Sequence, residues 1–296
     1  MNNLIDSSKS LISIGMPVFN SSSTIHQAIQ SVLSQDYENF ELIISDNNST
    51  DSTADICLYY VNLDPRVRYF RQKKFISAPE NFDFVLKKSR GEFFVWAAGD
   101  DKKSRNFLRL NLNLLKKNPA AVASMSPIFF EKNEILSPVI DVGPFTEELT
   151  KRYIKFFRVA YRSHGIFYSL IRKSCLENCD FVKELFFGCD WAIILYLLKQ
   201  GEILVANGGY TIFGTSGISN SPEVYKFHGV TGWKRAMPFL DFSLKVLNLS
   251  ENLGMKHKFT VMLLLVRLNL VTGLNEFRIT RYVSGIVRNI RLRFYR

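Results

Sequence analysis

Apolar and polar positions alternate in blocks along the first hundred residues. Residues 11–19, LISIGMPVF, make a short β-prone run closed by Pro17 and a polar loop. NSSST at 20–24 supplies helix-start residues, and Ile25, Ala28, Ile29, Val32 and Leu33 follow at one-faced helical spacing. FELIIS at 40–45 is a second strand, ending in the polar loop DNNSTDST at 46–53. Another helix follows. VRYFRQ at 67–72 is a third strand, 78–89 a helix, and EFFVWAA at 92–98 a fourth strand. This alternation predicts right-handed βαβ units, hence the α/β class with a Rossmann-like, mostly parallel central sheet and flanking helices. In such sheets ligands bind beyond the carboxyl ends of the strands. PVFN, SDNNSTD and AGDD stand at those ends, so three polar or acidic segments converge on one edge.

Beyond Asp101 the pattern loosens. Residues 106–117 read as a helix with a leucine face, and AAVASMSPIFF at 120–130 as a strand. Trp191, Ile194, Leu195 and Leu198 stand at helical spacing behind Asp190. The glycine- and serine-rich stretch at 208–222 reads as a loop, and the chain from about 223 as helical.

Length and composition narrow the class. With 296 residues, 47% of them hydrophobic, the chain can bury a sizeable core and is not a disordered protein. Cys57, Cys175, Cys179 and Cys189 lack metal-ligand spacing and read as free thiols. The start of the chain has no signal-peptide pattern, and the most apolar late stretch is interrupted by Arg267. The reading is a cytoplasmic protein without a membrane-crossing helix. Charge is uneven: residues 255–296 hold nine basic residues against Glu276, a net +8 of the chain's +11.

The first strand–loop–helix lacks G-x-G-x-x-G, and the chain has no P-loop lysine motif and no G-x-S-x-G. What remains is carboxylates at strand ends. Asp51, among serines and threonines, suits turn and cap chemistry. Asp100 and Asp101 are different: adjacent like charges at the end of a buried strand call for solvent or a cation.

The stretch ISIGMPVFNSSSTIHQAIQSVLSQDYENFELIISDNNSTDST, the acidic AAGDD and the later FFGCDWAIILYLLKQGEI together resemble a family 2 glycosyltransferase of the GT-A fold, over residues 11–219. The resemblance implies a GT-A domain at 1–222, with nucleotide-sugar binding in 1–101 and the acceptor side in 102–222. A basic helical extension would occupy 223–296. It also implies roles. Pro17, Phe19 and Asn20 line a nucleotide pocket, Asp46 accepts from a uracil-like base, and Asp100 faces ribose and metal. Asp100 and Asp101 hold Mg²⁺ or Mn²⁺, and Asp190 is the catalytic base. Ala98 stands where the first acid of D-x-D is usual, and Cys189 where an acid often precedes the base.

The implied function is inverting transfer of a sugar from a nucleotide-diphosphate donor, a UDP-sugar by preference, to a glycan or lipid-linked glycan in surface-polysaccharide biosynthesis. The rival from another class is a catalytically inactive GT-A domain that binds nucleotide or glycan. By the same resemblance His164 and Arg172 stand on the acceptor side, where they could meet phosphate or acceptor oxygens or simply be solvated, and the loop FGTSGIS could close over the donor diphosphate or be a plain connection. The basic tail fits an amphipathic helix on an anionic membrane, at the inner face of the cell membrane, as well as it fits packing on the domain. No nucleic-acid recognition module accompanies it.

Overall fold

The computed structural model describes residues 10–132, 135–138, 143–159, 164–214 and 224–276. The chain divides into two compact units: Met1–Leu185 with Cys189–Asn220, and Phe186–Gly188 with Ser221–Arg296.

The first unit opens with β1 (Ile12–Val18), α1 (Ile25–Leu33), β2 (Phe40–Asp46), α2 (Thr53–Leu63), β3 (Val67–Arg71), α3 (Ala78–Lys88) and β4 (Phe93–Trp96). It continues through β5 (Lys102–Lys103), α4 (Phe107–Lys117), β6 (Ala121–Met125), β7 (Ile128–Lys132) and β8 (Ile135–Pro138). Then come α5 (Leu149–Val159), α6 (His164–Phe167), β9 (Leu170–Arg172), α7 (Cys189–Gln200), β10 (Glu202–Val205) and β11 (Thr211–Phe213). A seven-stranded sheet runs β10-β6-β9-β4-β1-β2-β3, and a four-stranded sheet runs β5-β11-β7-β8. In the large sheet only β9 is antiparallel to its neighbours.

Strands β1, β2 and β4 are buried along their whole length, as expected of parallel strands covered on both faces. The core between them and α1 holds Ile12, Ile14, Met16, Ile29, Leu42, Ile44 and Val95, all at most 1% exposed. Glu41, on the opposite face of β2 from Leu42, is a buried acid paired with Arg68 at 2.7 Å and Arg90 at 2.8 Å and accepting from Ser13 at 2.7 Å. Burial pulls its carboxyl upward, but the hydrogen bonds from Ser13, Arg68 and Arg90 hold it below the usual glutamate value.

Chain order reverses at β1: β2 lies on one side and β4 on the other. That is the topological switch point, where an open α/β sheet leaves a crevice at its carboxyl edge. The β1–β4 ladder ends at the Gly15↔Trp96 pair, and Pro17, buried two residues later, stands opposite Ser45 of β2, past the last pair with β4. Gly99 keeps the crevice narrow, since an added Cβ would stand 3.1 Å from Val18 Cγ1 and 3.2 Å from Ser21 Oγ.

Two readings of the pattern change. The run at 120–130 is two strands in different sheets, divided at Ser126–Pro127, where β6 ends and the chain turns into β7. The stretch at 208–222 contains β11 within its expected loop. Thr211, Ile212 and Phe213 pair with β5 and β7, and sheet partners, not local composition, set that strand.

The second unit holds α8 (Val224–Phe227), α9 (Leu240–Leu249) and α10 (Met255–Glu276). Arg267 does not interrupt α10. Its Met255–Leu274 stretch is long and apolar enough, by length and composition, to cross a membrane, against the sequence expectation. The tail arginines from 278 onward lie outside the described residues, as does the loop from 215 to 223.

Candidate active site

Four loops meet at the carboxyl edge of the large sheet. After β1, Phe19 is 46% exposed and its ring stands edge-on to Phe75, 5.0 Å away and 53% exposed. Asn20 follows in the left-handed region, φ 47°. Its amide donates to Ser49 Oγ at 2.9 Å and its side-chain oxygen accepts from Thr50 N at 2.9 Å. Asn20 thereby ties the loop after β1 to the loop after β2. Asp51 adds to the tie, accepting from Ser22 N and Thr53 N at 3.0 Å each. Burial would raise its carboxyl, but these bonds carry it well below the aspartate value. Asp51 is thus the turn and cap residue its neighbours indicate.

Asp46 is fully buried, with one oxygen accepting from Ser49 N at 2.8 Å and the other from Tyr69 Oη at 2.7 Å. Both carboxylate oxygens are thereby engaged within the fold, joining β2 to its loop and to β3. Asn47 fastens the next loop, exchanging hydrogen bonds of 2.8 and 2.9 Å with the Ile76 backbone beside Phe75. The aromatic pair at the rim is therefore set by two asparagines and a buried aspartate.

After β4 the two acids part company. Asp100 is half-buried at the edge, whereas Asp101 is 6% exposed. Asp101 Oδ1 accepts from Gly214 N at 3.1 Å, just past β11, while Oδ2 is buried with no hydrogen-bond partner. Burial pushes its carboxyl up to about 6, with the Lys103 ammonium and the Gly214 amide opposing and Asp100 adding to the rise. Lys103, equally buried, has an unpartnered Nζ 4.3 Å above the Phe107 ring, and burial brings it down to about 8. Gly214 also packs against Asp100, as an added Cβ would stand 2.6 Å from Asp100 Cβ and closer still to its carboxylate. One glycine at the end of β11 thus seats both acids.

Asp190 lies in the first turn of α7, half-buried. There the helix N-terminus favours its ionised form. Tyr168 lies within electrostatic reach of Asp101, Asp190 and Asp100. Burial raises that phenol well above its ordinary value, and the charges of Asp101, Asp190 and Asp100 raise it further, in that order. Tyr168 therefore keeps its proton. Its ring packs 5.5 Å from Phe213 and 5.1 Å from Phe167, which stacks on Trp96 at 4.6 Å.

Arg172 is not part of this edge. It binds the carbonyls of Ala121 at 2.9 Å and Leu115 at 2.8 Å, and lies over Phe93 at the amino end of β4. The side chain of His164 lies outside the described residues, as does the loop FGTSGIS from 215 on.

Among the described residues no group of three or more His, Cys, Asp or Glu side chains is gathered to hold a metal ion. The fit to a divalent cation rests on fewer ligands. A hard oxygen donor, Asp100, reaches the edge, and the orphaned buried Asp101 Oδ2 lies behind it. Such a pair suits Mg²⁺ or Mn²⁺ when substrate phosphates and water complete the shell. Phe75 and Tyr168 carried no signal of their own in the sequence. Each is one aromatic residue in an unremarkable run, and only the fold brings it to the acids.

Comparison with known proteins follows the same outline. A model of "Glycosyl transferase family 2" matches residues 13–174. The chain is 32% identical over 203 residues to the Escherichia coli "UDP-Glc:alpha-D-GlcNAc-diphosphoundecaprenol beta-1,3-glucosyltransferase WfgD", covering 68% of this chain and 74% of that protein. It is 26% identical over 238 residues to the Campylobacter jejuni "GalNAc(5)-diNAcBac-PP-undecaprenol beta-1,3-glucosyltransferase", covering 79% and 75%. Among solved structures, S. aureus TarS residues 1–349 in complex with UDP-GlcNAc superposes with a TM-score of 0.65 at 16% identity, over 86% of this chain and 70% of that one. At that identity the likeness is one of fold.

Proposed function

The chain belongs to glycosyl transferase family 2, and we propose that this glycosyltransferase moves a hexosyl group from a UDP-sugar to a lipid-linked glycan acceptor with inversion at the anomeric carbon. The observation that carries the catalytic reading is the pair of acids at the carboxyl edge of the sheet, Asp100 and the buried Asp101 with its unpartnered Oδ2, both seated by Gly214. Both relatives are named as β-1,3-glucosyltransferases acting on undecaprenol-linked substrates. A β-product from UDP-glucose, an α-linked donor, is the outcome of inversion. Those names support glucose as the sugar and a polyprenyl-diphosphate-linked glycan as the acceptor.

In this reading Pro17, Phe19, Phe75 and Asn20 shape the nucleotide end of the crevice. Phe19 and Phe75 offer aromatic surface for the base, and Asp46 keeps the loop after β2 in place behind them. Asp100 holds the ribose and diphosphate end, and Asp101 anchors Gly214 beneath it. Asp100 and Asp101 would hold a Mg²⁺ or Mn²⁺ ion, which would supply Lewis-acid stabilisation of the charge on the diphosphate. Asp190 takes the proton from the acceptor hydroxyl as that oxygen attacks the face opposite the leaving group. This is the base half of an inverting displacement. Tyr168, held neutral, donates to an oxygen of the sugars as charge redistributes.

The rival, an inactive domain that only binds, is separated by one substitution. Asp190→Asn is expected to remove transfer while UDP-sugar binding, measured by calorimetry, stays within about twofold. Full transfer by that variant would refute the base assignment. The domain division 1–222 and 223–296, the cytoplasmic location and contact with the inner membrane face complete the proposal. A lipid-linked acceptor requires the last of these.

A further inference from the structure

Helix α10 has two apolar faces, and the second unit uses only one. Val261 and Leu265 are at most 2% exposed, with His257 and Asn269 beside them at 6% and 3%. Asn269 accepts from Phe239 N at 3.0 Å and donates to Ser243 Oγ at 2.9 Å. Gly273 lets the helix press on the turn before α9, since an added Cβ would stand 2.9 Å from the Ala236 carbonyl carbon. That face is committed to protein. On the other side Phe259, Met262, Leu263, Val266, Leu270 and Leu274 are 59, 40, 52, 50, 60 and 38% exposed. Their steps of three, one, three, four and four residues keep them within an arc of about 120°. Single exposed leucines are ordinary, but such a stripe along about four turns is not.

Charge identifies the occupant. Lys256 and Arg267, both exposed, flank one side of the stripe. The chain beyond Glu276 carries six arginines and no acid. Apolar side chains bordered by cations, with more cations following directly, match the boundary between acyl chains and anionic headgroups. We infer that the stripe from Phe259 to Leu274 seats α10 lengthwise on an anionic lipid bilayer. The inference rests on the lipid-linked acceptor proposed above, and it names the surface that meets the lipid. The helix lies flat and does not cross, although its length would suffice. Crossing would strip Asn269 of its partners within hydrocarbon, where unsatisfied polar groups are costly.

The test uses the full chain and co-sedimentation with vesicles of phosphatidylcholine alone or mixed with phosphatidylglycerol. The wild type is expected to prefer the anionic vesicles by roughly fivefold for every basic contact made. The double variant Leu263→Glu/Leu270→Glu is expected to lose about tenfold or more of that partitioning. Both positions are exposed, so the variant keeps its fold, checked by circular dichroism and by unchanged transfer to a water-soluble acceptor analogue. Alkaline carbonate should release the wild type. Equal pelleting of variant and wild type would overturn the inference, as would indifference to lipid charge or retention in carbonate. So would a wild-type dimer in light scattering that the variant abolishes, because a second copy would then cover the stripe. Lost vesicle binding with soluble transfer intact tells against the membrane face alone. The reverse result tells against the catalytic reading alone.

Discussion

Gly214→Ala probes the seat of the paired acids directly. The methyl carbon it adds would stand 2.6 Å from Asp100 Cβ and nearer still to its carboxylate. Nonbonded carbons rest about 3.5–4.0 Å apart, so one group must give by about 1 Å. Rotating the carboxylate away does not suffice, because Asp100 Cβ is itself in the way. The backbone of residue 100 or of residue 214 must shift, and the second course breaks the 3.1 Å bond from Gly214 N to Asp101. A displacement of about 1 Å at a reacting group costs on the order of a hundredfold, or about 2.7 kcal/mol of transition-state stabilisation. We therefore expect kcat/KM for sugar transfer, followed by UDP release, to fall about a hundredfold. Thermal stability should fall as well, by about 1–3 kcal/mol where the bond to the buried Asp101 is lost, so activity is compared at a temperature where both proteins are folded. Gly254→Ala is the control, because an added Cβ there meets nothing within 4 Å. Activity of Gly214→Ala within about threefold of wild type would refute the placement of Asp100 at the chemistry.

Three further outcomes follow from the geometry. Phe75→Ala removes half of the edge-to-face pair with Phe19 and should weaken UDP binding by calorimetry about three- to tenfold; unchanged affinity would remove Phe75 from the pocket. Tyr168→Phe deletes only the hydroxyl and should lower kcat/KM for the acceptor about tenfold with donor affinity unchanged; a matching loss of donor affinity would move Tyr168 to the nucleotide. Glu41→Gln removes the charge that Arg68 and Arg90 share and should cost about 2 kcal/mol of stability at neutral pH. Because the folded Glu41 titrates below its ordinary 4.5, that contribution is present above this value and fades as the pH falls through the lower folded one. Melting temperatures of variant and wild type should converge in acid; a gap constant with pH would count against the charge as its source.

The large sheet was legible because each of its early strands is a continuous apolar run ending in polar residues, a pattern that burial on both faces imposes. The converging loops followed from topology alone, since parallel strands place their carboxyl ends on one edge. Asp100 and Asp190 were legible by type and position. The division of labour within the pair was not. Which of two adjacent acids turns inward depends on β11 and Gly214, more than a hundred residues away. The partner of Asp46 was hidden for a related reason, because Tyr69 comes from the neighbouring strand.

By itself the sequence determined the α/β class, the crevice edge, the acids that reach it and the basic end of the chain, all of which follow from local spacing and composition. Only the tertiary structure decided the pairing of Phe75 with Phe19, the seating of Asp100 and Asp101 by Gly214 and the outward face of α10. That helix is apolar on both sides, so periodicity could not tell which side the protein would cover. Packing against Phe239, Ser243 and Ala236 settled it, because contacts between residues distant in the chain exist only once the backbone has brought them together.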